Sequence, residues 1–113
     1  MEKRKEKISL FKKAVDTFGA DLQSLVTCEE LSEVIQAISK MQRFKSDLKN
    51  KKSPIITKEE YEEFSKLRLH ILEEIVDSEI MFLQLFEIYQ FTKEEKEAIA
   101  RRKIAKLKGK LDA

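Results

Sequence analysis

Ile8, Leu10, Phe11, Val15 and Phe18 recur at near-helical spacing, which predicts a first helix over residues 4–18. Gly19 stands where a helix C-terminus favours a left-handed residue, and Asp21 is a side-chain cap for the helix that follows. Leu25, Val26, Leu31, Val34, Ile35, Ile38 and Met41 carry a second helix from about Leu22 to about Phe44. It is apolar over so much of its circumference that it must meet neighbours on more than one side. Residues 45–56 are basic, hold the only proline, Pro54, and read as a mobile linker or insertion. Thr57 with Glu60 then forms the Ser/Thr-x-x-Glu capping box of a helix start. The third helix persists to about Phe91, with Ser65–His70 as the place for a bend or interruption. A second capping box, Thr92 with Glu95, opens a fourth helix towards Leu111. Neither an internal repeat nor a low-complexity tract interrupts this pattern. The expectation is an all-α fold, four helices around one core, in a single domain over residues 1–113.

Length and composition agree with that expectation. A chain of 113 residues supports one modest core. Two glycines and one proline are too few turn residues for a β-sandwich, whereas 42% apolar and 39% charged residues suit a helical bundle. The net charge of +2 does not by itself imply nucleic-acid binding, but acid is concentrated in the middle and base at both ends. The lone Cys28 excludes an internal disulfide and reads as a helix residue packed against its neighbours, as free cysteines tend to be. The charged start leads into no long apolar region, so no signal peptide is expected. No apolar run approaches the roughly 20 residues that span a bilayer. A cytoplasmic protein without a membrane partner is the resulting expectation.

Candidate chemistry lies in two acidic pairs, Glu30 with Glu33 and Glu74 with Asp77. Each pair is spaced i, i+3, so its members point the same way on a helix. A projection at about 100° per residue gathers Glu30 and Glu33 with Val26 and Ala37. The second pair falls with Leu67, Met81, Leu85 and Ile88, and His70 lies beside it. Ionised carboxylates facing a bundle interior are costly unless a counter-charge offsets them, and a divalent cation does so best. An all-oxygen donor set without paired His or Cys favours Mg²⁺, with Mn²⁺ possible, over Zn²⁺. Four acids can hold one or two such ions, which bridge nucleotide phosphates, activate water and neutralise charge on a leaving pyrophosphate. Hydrolysis of a phosphate ester or phosphoanhydride is the chemistry to which this points. Glu29 and Glu73, each preceding an inward acid, are either outer groups that orient a ligand or water, or solvated surface glutamates. The plain alternative is that all these acids are solvated or ion-paired.

These residues resemble a known family. Glu29-Glu30-Leu31-Ser32-Glu33 matches the EExxE motif, and Glu74-Ile75-Val76-Asp77 the ExxD motif, of the MazG-like all-α nucleoside triphosphate pyrophosphohydrolases. Phe18-Gly19 and Gln23 are similar to the family's approach to its first motif. Residues 73–85 resemble the EEIADVEIMLxQL string of small stand-alone, phage-type members, and Lys103-Ile-Ala-Lys106-Leu107 resembles the K-x-x-R-L ending. The resemblance covers about residues 8–111 except the middle. It implies Mg²⁺-dependent hydrolysis of a nucleoside triphosphate to monophosphate and pyrophosphate, with Glu30, Glu33, Glu74 and Asp77 as metal ligands. It further implies that Lys103 and Lys106 face substrate phosphates, and that the MazG-like bundle is completed by homo-oligomerisation, as a dimer or tetramer. Three departures stand out. Forty residues separate Glu33 from Glu74, longer than the usual gap; Lys106 replaces the common arginine; and Arg101 sits where many relatives carry asparagine.

The remaining features divide between function and structure. His70, one turn before Glu74, either orients a carboxylate or serves as a hydrogen-bonded bundle residue. Phe82, Phe86, Tyr89 and Phe91 could stack on a base, but at helical spacing read better as core or subunit interface. Phe18 and Gln23 are better placed to meet a base, because they precede the first motif. The basic run from Arg101 to Lys110 offers phosphate contacts and also complements a helix C-terminus; it lacks a nucleic-acid reading element. Two further function classes stay open: a non-catalytic helical oligomer that uses its acidic face for structure or docking, and a basic nucleic-acid-binding bundle.

Overall fold

The periodicities resolve into four helices: α1 (Glu2–Phe18), α2 (Ala20–Asn50), α3 (Lys58–Ile88) and α4 (Lys93–Asp112). The computed structural model describes residues 2–113; Met1 and the side chains of residues 2–5 and 7–9, the predicted Ile8 contact included, lie outside the described residues. No strand occurs among the described residues. None of the described helices is long and apolar enough to cross a membrane.

The organising unit is the α2–α3 hairpin. Its two 31-residue helices lie antiparallel, so that Gln23 at the start of α2 meets Gln84 near the end of α3. On α2 the buried and half-buried positions Gln23, Thr27, Glu30, Val34, Ala37, Met41, Phe44 and Leu48 alternate in steps of four and three. On α3 the positions Leu67, Ile71, Glu74, Ser78, Met81, Leu85 and Ile88 do the same. A 3.5-residue repeat on two facing helices is the seam of a coiled coil, and it places both acidic motifs opposite each other. α1 lies across this hairpin and touches both helices, with Phe11, Ala14 and Val15 half-buried.

The seam explains two departures from the sequence expectation. α2 continues to Asn50 rather than stopping near Phe44, because Leu48 extends the stripe of Met41 and Phe44 through a stretch that reads as basic linker. The connection shrinks to residues 51–57 and is tied down: the Lys51 ammonium donates to the Ile55 carbonyl and to the Glu60 carboxylate. The helix is not interrupted at Ser65–His70, since no proline or glycine occurs there and Leu67 and Ile71 keep the register. Both predicted capping boxes form, with Thr57 and Thr92 each accepting from the backbone N–H three residues on.

Asp21 does not cap α2. Gly19 is the N-cap, and its φ of 90° lets a single residue join α1 to α2. Asp21 instead lies in the first turn, where its charge complements the helix dipole. Gly19 with ψ of 146° occupies a region essentially closed to other residues. A Cβ there would meet nothing within 4 Å, so the cost of Gly19→Ala is backbone strain alone. We expect it to destabilise the fold by about 1–3 kcal/mol, read as a lower urea midpoint with an unchanged m-value.

Among the described residues α4 meets the other helices only where the Lys96 side chain reaches the end of α3, and all of its residues are exposed. The expected four-helix core is therefore a three-helix core with α4 apart, because α4 is rich in lysine and arginine and carries only a thin apolar stripe. Its departure is set by a well-formed stop. Gln90 adopts φ of 56°, the Phe91 N–H donates to the Phe86 carbonyl, and the Phe86 and Phe91 rings meet edge-on at 5.4 Å. That combination is a Schellman motif with its hydrophobic clasp. The Lys96 ammonium sits over the Phe86 ring. Part of the aromatic cluster thus caps a helix.

Candidate functional site

Glu30 and Glu33 leave the middle of α2, and Glu74 leaves α3 opposite them. Their carboxylates offer one oxygen each, all within 4.8 Å of one another. Glu30 and Glu74 occupy seam positions, where a coiled coil normally places apolar residues. Glu33 and Asp77 lie one turn further along each helix and are exposed. The structure therefore brings three of the four predicted acids into one cluster, with Asp77 at its rim.

The electrostatics are those of like charges held together. Burial, then the charges of Glu33 and Asp77, raise the Glu30 carboxyl above its ordinary value; a hydrogen bond shared with Glu33 and the Glu74 charge add to this. Glu74 is raised first by burial, then by a hydrogen bond shared with Glu33 and by its charge; His70 pulls the other way. One oxygen on each of Glu30 and Glu74 is buried without a partner among the described residues, as is the Ser78 hydroxyl in the same seam. Buried polar groups without partners are uncommon and call for a cause. No lysine or arginine lies within ion-pair reach of Glu30, Glu33, Glu74 or Asp77 among the described residues.

These residues fit a hard divalent cation. The donors are all oxygen, two orphaned carboxylate oxygens supply negative charge, and no cysteine or second histidine competes.

The other predicted residues have definite places. His70 Nδ1 is 3.9 Å from Glu74 Oε1, beyond hydrogen-bond distance. Glu73 and His70 line a hollow of about 570 Å³ with Lys40, Glu63, Lys66 and Leu67. Glu29 and Glu33 line a shallower one, about 460 Å³, with Ser32 and Gln36. Cys28 lies at that second hollow and is exposed, not packed as expected, because it falls off the seam next to Thr27. Gln23 is buried, and its amide donates to Gln84, so the structure gives it a partner inside the seam. Phe18 ends α1 and is exposed. Lys103 and Lys106 stand on the separate α4, which does not bring them to the acids of its own chain.

Thr27, Ser78 and Gln84 are the site's neighbours that a search for charged motifs passes over. They are buried polar residues, Thr27 and Ser78 at seam positions and Gln84 next to the seam residue Leu85, and Thr27 Oγ1 donates to the Gln23 carbonyl. The heptad register through Glu30 and Glu74 is the signal that finds Thr27 and Ser78. Compared with protein-family models, curated proteins and solved structures, the chain matches none at a significant level.

Proposed function

We propose that this chain is a Mg²⁺-dependent nucleoside triphosphate pyrophosphohydrolase, with Mn²⁺ as an alternative ion, working as a homo-oligomer of MazG-like helical bundles. The observation that carries the reading is the convergence of Glu30, Glu33 and Glu74 across the α2–α3 seam, with buried oxygens left unpartnered. The order and flanks of the EExxE and ExxD motifs add the substrate class.

Glu30, Glu33, Glu74 and Asp77 would hold the metal, which when bound withdraws charge from substrate phosphates and acidifies water. The chain's own part is positioning. Glu30 and Glu74 are fixed by the seam, while exposed Glu33 and Asp77 open the site to solvent and to a bulky anion. His70 stands beside Glu74, with Nδ1 3.9 Å from Glu74 Oε1. Glu29 and Glu73 stand outside the ligands and are the candidates to orient a water. Water adds to the α-phosphorus and gives up a proton to solvent, the bond from that phosphorus to its bridging oxygen breaks, and pyrophosphate leaves with the electron pair.

Oligomerisation is supported by the surface of the single chain. Its accessible area is 9601 Å², against about 6,500 Å² for a compact monomer of this mass. Its radius of gyration is 19.2 Å, against about 13 Å expected. Only Ala37, Met41 and Met81 are buried apolar residues among those described, while Leu25, Ile35, Leu72 and Leu83 lie open. A surplus of about 3,000 Å² per chain, or about 6,000 Å² over a pair, lies at the upper end of obligate interfaces, which bury about 2,000–5,000 Å² or more counted over both partners.

The products test the reaction class. Hydrolysis in ¹⁸O-water is expected to yield monophosphate carrying the label and unlabelled pyrophosphate. Release of orthophosphate and a nucleoside diphosphate would overturn the assignment.

A further inference from the structure

Thr27 and Ser78 both bury a hydroxyl in the α2–α3 seam, and only one of the two is satisfied. Thr27 Oγ1 donates to the Gln23 carbonyl one turn back, the usual outlet for a hydroxyl on a helix. Ser78 is as deeply buried, at 4% exposure, yet its Oγ has no partner among the described residues, the Glu74 carbonyl one turn back included. A buried hydroxyl left unpaired costs stability and is uncommon in a native fold. An alanine at this position would cost less, so the hydroxyl calls for a reason.

The register of the seam supplies one. Gln23 on α2 bonds Gln84 on α3, and the two helices run antiparallel. Seven residues along α2 from that pair, two turns, stands Glu30; six and seven residues back along α3 stand Ser78 and Asp77. Of these two Ser78 is the buried one, so it is the α3 residue that faces Glu30. The Glu30 carboxylate has a buried oxygen, Oε2, that also lacks a partner. A donor without an acceptor therefore stands across the seam from an acceptor without a donor. Glu74 has an orphaned oxygen too, but it precedes Ser78 by one turn on the same helix. Helical side chains lean towards the N-terminus, which carries the Glu74 carboxylate away from Ser78. A change of χ1 re-aims a serine hydroxyl with no movement of the backbone.

We infer that Ser78 is a positioning residue for the acidic site: its hydroxyl donates to Glu30 Oε2 and holds that carboxylate with its other oxygen turned to Glu33 and Glu74. The inference rests on the metal reading proposed above, in which Glu30 is a ligand, and is independent of the substrate. A hydrogen bond to the outer oxygen of a ligating carboxylate fixes its orientation, and losing such a partner costs roughly 10–100-fold in metal affinity. Thr27 cannot take the role, because its proton is already given to Gln23.

Mn²⁺ binding to the full chain without nucleotide, read from the paramagnetic resonance signal of the free ion, tests this. Ser78→Ala is expected to bind Mn²⁺ about 10–100-fold more weakly than wild type. In EDTA it is expected to melt no lower than wild type, since the hydroxyl it removes has no partner there. A crystal structure of the Mn²⁺-loaded wild type should place Ser78 Oγ about 2.7 Å from Glu30 Oε2. Wild-type Mn²⁺ affinity in Ser78→Ala would overturn the inference, as would a separation beyond about 3.5 Å in that crystal structure. So would a Ser78→Ala that melts lower in EDTA or fails to fold, which would make the hydroxyl a structural group. A wild type that binds no Mn²⁺ removes the metal reading and this inference with it. Ser78-dependent Mn²⁺ binding by a chain inactive on every nucleotide removes the enzymatic reading and leaves the positioning role standing.

Discussion

Asp77→Asn is expected to lower nucleotide turnover by at least about 10²-fold while leaving the metal-free protein as stable as before, or more so. Changing a group that merely supports a metal ligand costs roughly 10–100-fold in affinity or activity, so a ligand should cost more. Asparagine keeps the shape and loses the charge. That charge is one of those raising Glu30 and Glu74, so its removal relieves repulsion in the empty site. Asp77 is exposed and buries no surface whose loss would unfold the chain. Steady-state kinetics with a thermal melt in EDTA checks both halves. A structural ion pair would give the opposite pattern, with stability lost and activity spared.

The second large effect is metal-linked stability, and its sign follows from the carboxyls. Glu30 and Glu74 have folded-state values above the ordinary 4.5, so between 4.5 and those raised values the folded chain binds more protons than the unfolded one. Their contribution is fully present below pH 4.5 and is lost as pH rises through the raised values. The metal-free protein should therefore melt at lower temperature near pH 7.5 than near pH 5, so far as these two groups decide. A bound cation reverses this, because it takes the place of the protons. At a Mg²⁺ concentration 100 times its Kd, the fold gains about 2.7 kcal/mol, or about 10 °C in melting temperature for a domain of this size. The gain should shrink towards pH 5, where protons compete for the same oxygens. Calorimetry with Mg²⁺ and with EDTA at the two pH values measures it. An equal gain at both would place the ion elsewhere.

Where the sequence could be read depended on which physical signal was local. The capping boxes at Thr57 and Thr92 need only four residues each, and both form. The acidic pairs sit on helices whose faces are legible from spacing, and Glu30, Glu33 and Glu74 do converge. Residues 45–50 were misleading because composition and period disagree there: three of the six are charged, yet Leu48 keeps the seam and the helix continues. Thr27 and Ser78 stayed hidden for a related reason, since a hydropathy pattern marks apolar positions and passes over polar residues in the same register. The separation of α4 was beyond reach of periodicity, which finds an apolar stripe but not what covers it. The αL conformation of Gln90 carries no glycine or asparagine signal, and only the Phe86–Phe91 clasp makes sense of it.

The measurement that tests the central claim most directly is turnover of a panel of canonical and modified nucleoside and deoxynucleoside triphosphates, with Mg²⁺ and with EDTA. Monophosphate and pyrophosphate are followed together. The account predicts equimolar formation of both from at least one triphosphate in Mg²⁺, and none in EDTA. Silence across the panel from folded, oligomeric protein, or turnover that survives EDTA, would contradict it.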